Sequence, residues 1–159
     1  MEEKRFIAEE IVQRLIQKGW KIAFAESCTG GLAAATLVEV PDASRVFDES
    51  IVTYANDAKI KYLGVQEQTI AEHGVVSEQV AGQMAVGIAR AAHAEIGVGV
   101  SGVAGPTGGT KRKPVGMVCF GFWINGTLTT KTVQFGEIGR NNVRKKSVEY
   151  IYNTLEKLI

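Results

Sequence analysis

Two short apolar runs, residues 21–25 (KIAFA) and 96–100 (IGVGV), constrain this chain more than any other feature. Neither carries a polar residue at every second position, so neither suits a strand with one face in water. Strands of that kind belong to a sheet covered on both faces. Helical patterns stand between the strand patterns, as crossover connections of parallel strands require.

The remaining elements follow from spacing and punctuation. Ile7, Ile11 and Leu15 recur every fourth residue, with Ala8, Val12 and Ile16 widening the stripe, so a helix is expected over 3–18, stopped by Gly19. A helix over 32–40 leaves the glycine pair and ends at Pro41. Residues 50–54 (SIVTY) form the next strand. Asn56 reads as the N-cap of a short helix through Leu63, closed by Gly64. Thr69 and Glu72 have capping-box spacing before a single turn stopped by Gly74. Ser77 caps an Ala-rich helix over 78–94. Strands over 115–124 and 127–135 flank Asn125-Gly126, a hairpin signal, and a last helix runs from about 142 to 158. The expected architecture is α/β: one domain over 1–159, three layers α/β/α, with a mixed, mostly parallel sheet.

Charge and cysteine usage remove several function classes. The 159 residues carry a net charge of +1, and the densest basic run is Lys111-Arg112-Lys113 in a Gly-rich loop, so no nucleic-acid partner is expected. Cys28, Cys119, His73 and His93 are scattered singly, which predicts neither a disulfide framework nor a metal site. The N-terminus, MEEKRFIAEE, is acidic and amphipathic without an apolar core, and no apolar stretch reaches membrane-spanning length. A cytoplasmic protein with no membrane partner is the expectation, and a homo-oligomer, as is common for small enzymes.

Four loops that follow strands are rich in small or polar residues: 26–31, 54–59, 101–110 and 136–140. Ligands of open α/β sheets collect where such loops leave the strand ends. Ser27 stands at a strand-to-helix junction, where it either caps the helix or acts as a nucleophile among unpaired N–H groups. Thr29, Gly30 and Gly31 would bring those groups close to a substrate.

A nucleophilic serine needs a base, and neither histidine is placed to serve one. Lys59 sits in the first turn of its helix, against the usual charge preference there. It is either a buried base or an exposed lysine balanced by Asp57. Tyr54 either overhangs a pocket or packs at a sheet edge. The loop containing Ser101, Gly102 and Gly105 either admits a phosphate or flat ring close to the backbone, or is merely flexible. Arg140, beside the last helix, is either an anion ligand or a surface residue.

Together, AESCTGG at 25–31, YANDAK…LGV at 54–65, HGVVSEQVA at 73–81, SGVAGPTGG…KPVG at 101–116 and GR…VR at 139–144 resemble the C-terminal domain of the CinA (competence/damage-inducible) family, in order and through nearly the whole chain. The resemblance implies nicotinamide-nucleotide amidohydrolase activity: nicotinamide mononucleotide (NMN) is hydrolysed to nicotinic acid mononucleotide and ammonia. It further implies Ser27 as nucleophile and Lys59 as base. Tyr54, Ser101 and Arg140 would line the substrate site, with Arg140 toward the phosphate. Neither cofactor nor metal is implied. Thr29 to Gly31 would supply oxyanion donors, and Cys28 is the rival nucleophile. Many family members carry a further N-terminal molybdopterin-binding-like domain, which this sequence is not expected to contain. The alternative function is a non-catalytic, regulatory nucleotide-binding module of the same fold.

Overall fold

The computed structural model describes residues 2–159. Helix α1 (Glu2–Lys18) is followed by β1 (Ile22–Glu26), α2 (Leu32–Val38) and a short 3-10 turn, Ala43–Arg45. Then come β2 (Ile51–Val52), α3 (Asn56–Leu63), α4 (Glu67–His73) and α5 (Glu78–Ala92). The chain finishes with β3 (Ile96–Gly102), β4 (Met117–Ile124), β5 (Thr127–Gln134) and α6 (Arg140–Leu158). No helix among the described residues is long and apolar enough to cross a membrane.

The strands form one sheet in the order β2-β1-β3-β4-β5. It is mixed, as expected: β1 pairs parallel with β2 and β3, whereas β3–β4 and β4–β5 are antiparallel. Asn125 and Gly126 both take positive φ, the conformation a two-residue hairpin turn demands.

Both faces of the sheet are covered, which explains why KIAFA shows no alternation. Phe24 and Ile22 of β1 pack on one face with α1, α2 and α6, where Tyr152 of α6 lies beside Phe24. Ala23 and Ala25 face the opposite way, toward Leu63 of α3 and Val80, Met84 and Ile88 of α5. In β3 the valines take the first face and the glycines the second. A Cβ on Gly97 would lie 2.1 Å from Ala85 O, and one on Gly99 2.2 Å from Ala81 O. The glycines of IGVGV therefore let α5 lie directly on the sheet backbone.

Several boundaries differ from the sequence expectation. Ala55, not Asn56, is the extended residue before α3. Thr69 is inside α4, which starts two residues earlier at Glu67. Its hydroxyl accepts from Gln83 Nε2 instead of capping the helix. α2 stops at Val38, short of Pro41. β2 is only two residues long because the carbonyls of Thr53 and Tyr54 turn toward a side chain of α3. β4 starts at Met117, whose N–H closes a turn on Pro114 O. α6 starts at Arg140, making that arginine part of the helix rather than of the loop before it.

Chain direction across the sheet changes at β1. β2 lies on one side of it, and the following strand, β3, lies on the other. Such a switch point opens a crevice beyond the carboxyl ends of the two strands that diverge there. Ser27 directly follows β1, and Ser101 stands near the end of β3.

Candidate active site

A cavity of about 270 Å³ occupies that crevice. Ser27, Lys59, Tyr54, Ser101, Gly102, Gly105 and Arg140 all line it, and so does Cys28. Of the four loops, 54–59 and 101–110 supply most of the wall. The first contributes only Ser27 and Cys28, and the fourth only Arg140.

Lys59 is 1% exposed. It lies at the fourth position of α3, so its side chain runs back under the end of β2 toward β1. Its Nζ is 3.0 Å from Ser27 Oγ, 2.7 Å from Thr53 O and 3.1 Å from Tyr54 O. No carboxylate among the described residues forms an ion pair with it. Burial is the main reason its pKa falls to about 8 from an ordinary 10.5, with neighbouring Cys28 opposing the shift. A neutral amine has two N–H bonds, which the two carbonyls accept, and its lone pair is then left for the Ser27 hydroxyl proton.

Ser27 itself is buried and held by its backbone, whose N–H reaches Val100 O while its carbonyl accepts from Gly30 N–H. Cys28 is a poor rival. Burial pushes its thiol up to about 11, and the lowering influence of Arg144 and Lys59 does not cancel that. A thiol with that pKa is almost entirely protonated at neutral pH and correspondingly unreactive.

Thr29, Gly30 and Gly31 depart from the expectation, since none of them lines the cavity. Gly30 is exposed and its N–H is already spent on Ser27 O, while Thr29 is turned toward Glu26, the last residue of β1, which is fully buried. One carboxylate oxygen accepts from Thr29 Oγ1 (2.6 Å) and Ala33 N–H (2.8 Å), and the other accepts from Ala34 N–H (3.1 Å). A carboxylate of the protein thus already fills the anion seat at the start of α2. Sequence reasoning passed over Glu26, although an acidic residue ending an apolar strand just before a helix was the available signal.

At the mouth, the Arg140 guanidinium donates to Gly105 O (2.8 Å) and to the Tyr54 phenol oxygen (2.9 Å). Tyr54 is 63% exposed, so it is not packed as an edge aromatic. Ser101 donates its hydroxyl proton to Val75 O, tying the end of β3 to the loop before α5. Lys113 reaches the same loop, donating to His73 O and Val76 O. Val75 and Val76, which sequence reasoning did not select, complete one wall.

A larger depression, about 1070 Å³, lies between α5 and the β4–β5 hairpin. Its most placed acid, Glu78, is held by the hydroxyls of Thr130 and Thr132, which keep its carboxyl below the usual range. The hydrogen-bonded pair of serine and buried lysine lines the smaller cavity, so chemistry rather than volume selects the candidate site.

Residues 4–159 match a family model described as the CinA C-terminal domain. The chain is 45% identical over 152 residues to a CinA-like protein of Kosmotoga olearia, an alignment covering 95% of this chain and 37% of the relative. A CinA-like protein of Desulforapulum autotrophicum is 52% identical over 127 residues, 80% of this chain and 30% of that one. The chain therefore spans about a third of the length of these curated relatives. Among solved structures, the competence/damage inducible protein CihA from Agrobacterium tumefaciens superposes with a TM-score of 0.94 at 39% identity, covering 98% of this chain and 94% of that one.

Proposed function

The chain belongs to the CinA C-terminal domain family, and on that premise we propose that it is an amidohydrolase that converts NMN to nicotinic acid mononucleotide and ammonia. The observation that carries this reading is the buried contact between Lys59 Nζ and Ser27 Oγ, with two backbone carbonyls taking the other donors of the amine.

Neutral Lys59 removes the Ser27 proton as Oγ attacks the carboxamide carbon. The C=O π pair moves to oxygen, giving a tetrahedral adduct. When the C=O bond re-forms, the C–N bond breaks, and the lysine proton passes to the departing nitrogen, which leaves as ammonia. Lys59, neutral again, takes a proton from water, whose oxygen attacks the acyl-Ser27 ester. Collapse of that adduct breaks the C–Oγ bond and returns the lysine proton to Ser27 Oγ, releasing the pyridine carboxylic acid, which gives its remaining proton to solvent. Arg140, at the mouth, is the cation that takes the phosphate, replacing some of its contacts with Tyr54 and Gly105. Tyr54 offers its ring to the pyridinium face.

The test is ammonia release from NMN by the wild-type protein beside Ser27→Ala. Release by wild type alone is expected. Release by both proteins would remove the serine from the reaction, and release by neither, with NMN still bound, would favour a binding module.

A further inference from the structure

Arg144 has no part in the chemistry described so far, yet it reaches the nucleophile turn from another element. Its Nε donates to Cys28 O at 3.0 Å and one terminal nitrogen to Thr29 O at 3.1 Å. The other terminal nitrogen donates to Asn141 Oδ1 at 3.0 Å, fixing the plane of the guanidinium. Cys28 and Thr29 are the two residues after Ser27, and neither carbonyl is taken up by the regular ladder of α2, which starts at Leu32. Leu32 N–H shares the Thr29 carbonyl.

The geometry assigns Arg144 as a positioning residue for the nucleophile: its planar fork clamps the peptides after Ser27 and so holds Oγ within reach of Lys59. The assignment rests on the amidohydrolase reading only for its kinetic consequence. Glu26 grips the same turn from beneath, through the Thr29 hydroxyl. The turn is thus held from β1 on one side and from α6 on the other. Arg140 and Arg144 are four residues apart, on one face of α6. One helix therefore places a guanidinium at the cavity mouth and a second against the nucleophile turn. A lysine cannot substitute fully, because its single ammonium lacks the fixed fork that spans two carbonyls.

The experiment compares wild type with Arg144→Lys and Arg144→Met in two readouts. The first is the rate at which a fluorophosphonate, a serine-directed reagent, labels Ser27. It needs no NMN turnover, so it tests the clamp even where the substrate assignment fails. The second is the steady-state kinetics of ammonia release. Loss of positioning is expected to slow labelling about 100-fold in Arg144→Met, with a partial recovery in Arg144→Lys. kcat falls in step, while KM for NMN stays within about threefold of wild type, since Arg144 does not line the cavity. The pH at which labelling reaches half its maximum is unchanged, because Lys59 keeps its surroundings. Labelling of both variants at the wild-type rate would overturn the assignment. So would a KM rise without a fall in kcat. Melting curves accompany each variant, and if Arg144→Met does not remain folded, Arg144→Lys with its retained cation decides between these outcomes.

Discussion

The carbonyl oxygen of Leu63 occupies the space a β-carbon would take on Gly87: a Cβ there would lie 1.9 Å from it. Leu63 ends α3, the helix that carries Lys59, and Gly87 lies inside α5. The depth at which the lysine is buried is therefore set by a missing side chain 28 residues away, counting from 59 to 87.

Gly87→Ala sets two effects against each other. Alanine favours a helix over glycine by about 1 kcal/mol. A contact with a backbone atom cannot be relieved by a rotamer change, so α3 must shift, and overpacking of that kind costs about 1–3 kcal/mol or more. The clash wins: net destabilisation in urea denaturation and a fall in Ser27 labelling of at least about tenfold are expected. Gly82→Ala is the control, since its Cβ would meet the Leu128 side chain at 3.1 Å, which can turn aside. The Thr130 methyl at 3.3 Å must also give slightly, so part of the helix gain of about 1 kcal/mol is offset and that variant is expected between wild-type stability and about 1 kcal/mol above it.

Lys59 ties activity and stability to pH in the same direction. On the proposed reading Lys59 is a base that works only when neutral, so kcat/KM for ammonia release rises with pH through an apparent value of about 8. Folding depresses the pKa from 10.5, so between about 8 and 10.5 the unfolded chain binds the extra proton and stability climbs with pH. The contribution is complete above 10.5 and is lost as the pH falls through 8. Relative to Lys59→Met, which has no proton to bind, the wild type should gain up to about 3 kcal/mol between pH 7 and 10.5. A stability difference in urea that stays flat over that range would show that the buried amine is not destabilised as a cation.

Glu26 makes a separate prediction about α2. Glu26→Ala strips the buried acceptor from the Thr29 hydroxyl and from two helix N–H groups. Leaving such donors unsatisfied should cost about 3 kcal/mol. Glu26→Gln keeps one oxygen but turns an amide N–H₂ toward a donor, and should lose about half as much. Hydrogen exchange at the Ala33 and Ala34 amides reads the effect locally, and unchanged protection in Glu26→Ala would count against the cap.

Arg140 separates binding from chemistry on the proposed reading. Arg140→Met removes the contacts to Tyr54 and Gly105. KM for NMN should rise by roughly 10- to 100-fold, as loss of a charge-assisted bond predicts, with kcat little changed. Tyr54→Phe keeps the ring and should move KM less. Steady-state kinetics decide it, and a kcat loss without a KM rise would displace Arg140 from the phosphate side.

The amino-acid sequence by itself determined the elements and the candidates. Short apolar runs, periodic helices and the Asn125-Gly126 turn are local signals, and they placed nearly every strand and helix within a few residues. Ser27 stood out because a strand met a helix there, and Lys59 because a cation opened one. Local spacing could not say whether Lys59 was buried, since that depends on α5 pressing α3 against the sheet. Nor could it say that Glu26 would fill the anion seat at α2, or that α6 would send Arg144 back to a turn 115 residues earlier. The Lys59 and Arg144 contacts exist because elements distant in sequence pack together at the carboxyl end of β1. The Glu26 cap, by contrast, is short in sequence and needs only the turn after β1 to fold back on it. A hydrogen bond over 3 Å depends on where whole elements pack, and that is the tertiary structure's decision.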